Sequence, residues 1–271
     1  MQSRTLPKFR LPPVTETVLG VEFAPLVGWR VPHFGLFWNR IRDRFPKYEI
    51  KPPLDTQIEQ FNGPARPVSP AIQVLLEPEV RCWFIDASDR ALIQVQNNRF
   101  TYNWRKTGPD DAYPHYDETI RPAFERIWNE YQAFVAAEQI GELNIVQCEV
   151  TYVNHLEIGK GWRSPAEISN IFPFLSNSIG RGFLPMPERL GFNITFRLPD
   201  KQGRLRISMS PAVRHTDGSE VLQLNLTARG KPVSSDTASV LGWLDTGREW
   251  VVRGFADVTS DAMHAIWEKA N

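Results

Sequence analysis

Leu190-Gly-Phe-Asn-Ile-Thr-Phe-Arg-Leu198, Arg204-Leu-Arg-Ile-Ser-Met-Ser-Pro-Ala212 and Glu220-Val-Leu-Gln-Leu-Asn-Leu-Thr-Ala228 decide the fold class. In each, apolar and polar side chains alternate. Phe192, Ile194, Phe196 and Leu198 share one face, with Asn193, Thr195 and Arg197 opposite. Leu205, Ile207 and Met209 oppose Arg204, Arg206 and Ser208. Leu222, Leu224 and Leu226 oppose Gln223 and Asn225. A period of two means strands with one packed face. Asp200-Lys-Gln-Gly203 and Thr216-Asp217-Gly218 supply the turns of an antiparallel meander.

Upstream, Leu143 to Ile158 is a longer candidate strand, with Cys148, Val150 and Tyr152 opposing Glu149, Thr151 and His155. Asn154 falls in phase with the apolar side. Either it bonds backbone groups inside or the strand bends there through a bulge. Ser164-Pro-Ala-Glu167 has capping-box spacing and predicts a short helix, and residues 173–188 read as loop. The 159–188 segment holds much apolar surface, which must bury on the body or on a partner, and the body is the simpler expectation. Downstream, Val240, Leu244, Gly247, Val251 and Phe255 line a helix from about Asp236. A last helix runs from about Ser260 to Lys269.

The N-terminal side repeats that order. Val14 to Phe23 reads as a strand. Phe34, Phe37, Trp38, Ile41 and Phe45 form one helical face stopped by Pro46. Residues 46–79 are Pro-rich and read as loop. Arg81–Asp86, Leu92–Gln96 and Arg99–Arg105 are three short strands, turned at Ser88-Asp89 and Asn97-Asn98. On the third, Phe100, Tyr102 and Trp104 oppose Thr101, Asn103 and Arg105. Phe124, Ile127, Trp128, Tyr131 and Phe134 predict a helix that fades before Gly141. The expectation is an α+β protein of two pseudo-repeated β-α-loop-βββ-α halves, residues 14–140 and 141–271, behind an extended arm, residues 1–13. The simplest assembly is one antiparallel sheet of about eight strands with helices on one face. Two separate four-stranded domains are the alternative.

The 271 residues hold 31 Lys+Arg and 31 Asp+Glu, so the formal net charge is zero. That balance argues against a dedicated nucleic-acid or membrane-surface binder. At 42% hydrophobic residues the chain can bury a large core. No run of apolar residues is long enough to span a membrane, and the first residues lack a signal-peptide core. Cys82 and Cys148 sit in apolar runs without a CxxC partner, so both are expected to be small buried hydrophobes in a reducing cytoplasm. Walker, GxGxxG, HExxH and GxSxG patterns are absent, the five His are scattered, and no cofactor or metal is expected.

Leu92-Ile-Gln-Val-Gln-Asn-Asn-Arg-Phe100, Asn103-Trp-Arg-Lys106 and Tyr113-Pro-His-Tyr116 resemble a sporadically distributed prokaryotic family of proteins of about this length, for which no activity is established. Pro12-Pro-Val-Thr-Glu-Thr-Val18, Tyr152-Val-Asn-His155 and Trp243-Leu-Asp245…Phe255…Val258-Thr259 extend the resemblance over nearly the whole chain. His155 departs from it, standing where the family pattern has Arg. The resemblance implies a cytoplasmic location and, through the family's sporadic spread, mobile or defence-related gene pairs. It implies no catalytic residues.

Two candidate sites follow. The polar sheet face gathers Asn103, Arg105, Glu149, His155, Arg197, Arg204, Arg206, Gln223 and Asn225, side chains with fixed hydrogen-bonding geometry. Arg105, Arg197, Arg204 and Arg206 against Glu149 and Glu157 give it +2, four positive against two negative, before His155 is counted. It reads equally as a docking surface or as an ordinary solvated face. The second candidate is the 104–116 loop, with Arg105, Lys106, Asp111, Tyr113 and His115. Its plainer reading is a solvated turn followed by an N-cap at Asp117 or Thr119. The first function expected is therefore a non-enzymatic protein that binds a protein partner, as a regulator or neutralising partner. The alternative is a small-ligand binder or enzyme with a pocket near that loop. Nucleic-acid binding ranks last.

Overall fold

Alternation in the sequence becomes alternation in space. The computed structural model describes residues 5–55, 58–59, 80–175 and 182–270. Its strands are β1 (Lys8–Phe9), β2 (Val14–Phe23), β3 (Lys47–Lys51), β4 (Arg81–Ile85), β5 (Ala91–Gln96), β6 (Arg99–Arg105), β7 (Ile145–Glu157), β8 (Phe192–Arg197), β9 (Arg204–Val213), β10 (Glu220–Gly230) and β11 (Lys269–Ala270). Its helices are α1 (Pro32–Ile41), α2 (Arg121–Ala137), α3 (Ile168–Ile171), α4 (Thr237–Val258) and α5 (Asp261–Ile266). A single π-type turn, Tyr116–Ile120, leads into α2, and Pro165–Glu167 forms a 3₁₀ turn before α3.

Nine strands make one antiparallel sheet in the order β3-β4-β5-β6-β2-β7-β10-β9-β8. The protein is thus α+β, and its two halves meet along β2 and β7 in one continuous sheet. β6, β5 and β4 lead outward from β2 in the order that β10, β9 and β8 lead outward from β7. Strand order alone does not establish a repeat. β3 has no counterpart, and the α-helix after β2 has ten residues where the one after β7 has four.

One sheet face carries the core. Leu19, Val21, Phe100, Cys148, Val150, Leu224 and Leu226 are fully buried on it. α2 lays Trp128, Tyr131 and Phe134 over it, with the Tyr131 ring 4.8 Å from Phe100 and 5.3 Å from Phe37 of α1. α4 lies across β7 and β10. Gly247 permits that approach, because a Cβ there would stand 3.0 Å from Val150 Cγ2. Asp236 caps α4, accepting from Ser239 N at 2.8 Å, and Ser260 caps α5. Asn154 faces this core, where its amide donates to Leu224 O at 3.1 Å. The register of β2 on β7 also shifts between Val14 and Glu16, opposite the same segment.

Four expectations need correction. Lys47–Lys51 is an edge strand inside the stretch read as loop; residues 56, 57 and 60–79 of that stretch lie outside the described residues. The arm is not merely extended: Lys8–Phe9 pairs with Lys269–Ala270, so the two ends of the chain meet. Ser164 makes no cap bond; Glu167 accepts from Arg163 N instead. The 159–188 segment buries Trp162, Ile168, Ile171 and Phe172 but leaves Phe174, Phe183, Leu184 and Met186 exposed, with residues 176–181 outside the described residues.

Candidate functional site

The sheet separates the candidate residues into two places. Asn103, Arg105, Glu149, His155, Arg197, Arg204, Arg206, Gln223 and Asn225 all lie on the face away from the helices, as the register requires. Lys106 follows β6 and is exposed, its backbone N donating to Thr15 O. Tyr113 and His115 lie on the helix side. Arg105 and Asp111 are therefore not part of one pocket with Tyr113 and His115. Arg105 reaches over Trp83 and donates to Asp89 O, while Asp111 closes its own turn on Thr107 and Gly108 and pairs with Arg90 at 2.6 Å. Those bonds hold the Asp111 carboxyl below its usual range.

Over its first half the polar face is tied together by a chain of side-chain hydrogen bonds, with Glu22 Oε2, Arg81 Nε and Arg105 Nε left without a partner among the described residues. Arg81 donates to Gln94 at 2.8 Å, Gln94 to Asn103 at 3.0 Å and Asn103 to Glu16 at 2.6 Å. Arg99 and Glu22 form a buried pair at 2.7 Å. Burial raises the carboxyls of Glu16 and Glu22 against the pull of Asn103 and Arg99. Over the second half, Glu149 meets Arg229 at 2.6 Å. Glu59 crosses to Arg204 at 2.6 Å and Arg206 at 2.8 Å. The +2 count omitted both of these partners, Glu59 and Arg229. Beside them Glu149, Thr151, Asn193, Arg206, Ser208, Gln223 and Asn225 line an open concavity of about 300 Å³. His155 sits at its end, half-buried beside Arg214, and both effects lower its pKa.

A different kind of cavity lies on the helix side. It opens to solvent at one side and holds about 310 Å³ between the arm, the 113–118 turn, β7, β10 and α4. Phe9 and Pro12 wall it from the arm, Val14 from the start of β2, Leu226 from β10, and Val251, Val252 and Phe255 from α4. Polar groups converge inside. The Tyr113 and Tyr152 hydroxyls share a hydrogen bond of 2.8 Å. The Arg248 guanidinium lies over the Tyr116 ring at 5.0 Å and meets Asp117 at 3.3 Å on the solvent side. Its buried Nε is without a partner among the described residues, and its charge opposes the rise of the Tyr152 phenol pKa. His115, Glu118 and Asn154 complete the lining. Burial raises the phenol pKa of Tyr113 and of Tyr152, so both are neutral donors rather than bases near neutral pH.

Sequence reading named Tyr113 and His115 as candidate site residues and read the out-of-phase Asn154 as structural, but missed Arg248 and Tyr152 as site residues. A signal was present: Arg248 lies four residues after Leu244 and three before Val251, in phase with the buried stripe of α4. A cation at that phase needs a partner inside.

Cys82 and Cys148 are buried free thiols, and burial pushes Cys82 up to about 11. Among the described residues, no group of three or more His, Cys, Asp or Glu is placed to hold a metal ion, and no helix is long and apolar enough to cross a membrane. The fold and the cavity together define an α+β protein with one polar sheet face and a partly open cavity under its helices. No family model, curated protein or solved structure matches the chain.

Proposed function

We propose that the protein binds a small ligand in the cavity between the arm, the 113–118 turn, β7 and α4. One observation carries the reading: apolar walls from elements far apart in sequence close around a few convergent polar side chains. That combination characterises small-molecule sites. The hydroxyl pair adds to it. Two phenols hold two hydroxyl hydrogens, and their mutual bond uses one. Among the described residues the other has no acceptor, so the cavity offers a donor to whatever enters. With both phenols neutral, the arrangement favours binding over proton abstraction. A thermal-shift panel of small acids, amines, alcohols and nucleosides tests the reading, with Val252→Phe as a filled-cavity control. Ligand at a hundredfold excess over Kd stabilises by about 2.7 kcal/mol, several degrees in Tm. The wild type should shift with one chemical class and Val252→Phe with none. A wild type that shifts with no member would sink the reading.

Partner binding is the second reading, and the open concavity on β7, β10, β9 and β8 favours it. There the occupant is a protein, a regulator or neutralising partner in a mobile or defence-related gene pair. Capture by the products of neighbouring genes, lost in Asn225→Arg, supports it; equal capture by that variant contradicts it. Nucleic acid remains the least favoured partner, since Glu59 and Glu149 already meet Arg204, Arg206 and Arg229 on this face.

A further inference from the structure

We infer that the cavity ligand carries a carboxylate head on an apolar body, the head held by Arg248 and the Tyr113–Tyr152 pair. This rests on the small-ligand reading. The argument begins with what already approaches Arg248. Asp117 reaches it from the rim at 3.3 Å, so a carboxylate has access to this guanidinium from the cavity mouth. Asp117 is itself exposed, its side chain retaining 67% of its accessibility, so the contact is screened and weakly held. A carboxylate entering deeper would be better placed. It would meet guanidinium donors together with the hydroxyl hydrogen that lacks an acceptor, and an ionised carboxylate is acceptor-only. Neutral phenols suit it, because neither competes as an anion. The apolar walls beside the guanidinium strengthen a charge-assisted bond above its worth in open water.

The body follows from the walls. Leu226, Val251, Val252 and Phe255 offer no hydrogen-bonding side chain, and Phe9 closes over them from the arm. Phe9 is held there by ring contacts to Phe255 at 5.4 Å and to Trp267 at 6.3 Å. A volume of about 310 Å³ takes a body of roughly a dozen non-hydrogen atoms, such as an aryl or branched-alkyl acid. Asp117 and Glu118 at the rim favour the opposite charge, so an apolar amine is the competing class.

Titration calorimetry with matched probes separates these. The probes are 3-phenylpropanoate, 3-phenylpropanamide and 3-phenylpropylamine, with 4-methylpentanoate and its amide as an aliphatic pair. The acid should bind about tenfold tighter than its amide, the worth of one charge-assisted bond. Arg248→Gln should abolish that preference, and Tyr152→Phe should reduce it. Asp117→Asn alters an exposed rim residue and leaves the core untouched. It should strengthen acid binding by removing a like charge and a competitor for Arg248. Circular dichroism confirms that each variant is folded, and Asp117→Asn keeps the test decisive if Arg248→Gln fails to fold. Acid and amide binding equally would overturn the carboxylate while leaving the ligand site standing. Amine preference, lost in Asp117→Asn, would overturn it in favour of a cation. If the wild type binds no probe and shifts with no member of the wider panel, the ligand reading itself falls.

Discussion

His264 shows how one buried side chain sets a pH dependence. Its Nε2 lies 2.9 Å from Thr259 Oγ1, which donates to Phe255 O at 2.6 Å, so the ring donates at Nε2. Its Nδ1 lies 3.2 Å from Lys269 Nζ, which can only donate, so the ring accepts there. That is a neutral imidazole. Burial and then Lys269 lower its pKa below the ordinary 6.5, while Asp261, at 3.4 Å, pulls the other way. The unfolded chain therefore binds this proton more readily than the folded one, so stability rises with pH through this window. The contribution is complete above 6.5 and is lost as pH falls from there toward the folded value. Urea midpoints between pH 8 and pH 5 should decline on the acid side, and His264→Gln should flatten part of that decline. An unchanged slope in the variant would contradict the neutral ring.

At the scale of elements, backbone proximity is as telling as side-chain packing. Gly230 ends β10 where a Cβ would lie 1.9 Å from Gln202 O, against the turn that starts β9. Gly230→Ala forces the β9–β10 hairpin to shift and should destabilise by about 1–3 kcal/mol. Gly35 has open space around its Cβ position, so Gly35→Ala serves as the control and should not destabilise. Equal urea midpoints for the two variants would refute the close-packed turn.

Elements were legible where polar and apolar residues alternate or where β-branched and aromatic residues gather between turns. β9 and β10 alternate over most of their length, while β2, β5 and β6, buried on both faces over much of theirs, were marked by β-branched and aromatic residues between turns. The predicted bounds of all five lie within two residues of those observed. β3 escaped notice because it is an edge: Lys47, Tyr48, Glu49 and Ile50 are all exposed, so no alternation marks it. The pairing of Lys8–Phe9 with Lys269–Ala270 escaped because two residues carry no period and their partner lies at the other end of the chain. The cavity escaped for a related reason. Tyr113 comes from a loop, Tyr152 from a strand and Arg248 from a helix, and only the tertiary fold places them together. What remained visible was the anomaly each left behind: Asn154 and Arg248 are polar groups in apolar phase.

For the whole molecule, continuity of the sheet is the main consequence. β2 and β7 lie side by side at its centre, and α4 packs on both β7 and α2. Neither half can keep its central strand paired on both edges without the other. Fluorescence and far-ultraviolet circular dichroism should therefore report one coincident urea transition. Separated midpoints would indicate two independent units. The cavity depends on this closure too, since its walls come from the first residues described, the central strand and the last long helix. The most direct measurement of the central claim is the Arg248 side-chain Nε–Hε resonance in a ¹⁵N-labelled sample, assigned by its absence in Arg248→Lys and followed while 3-phenylpropanoate is added. The account predicts a saturating shift of that resonance with arginines of the polar sheet face unmoved. Shifts confined to Arg197, Arg204 or Arg206, or no shift at saturating acid, would contradict it.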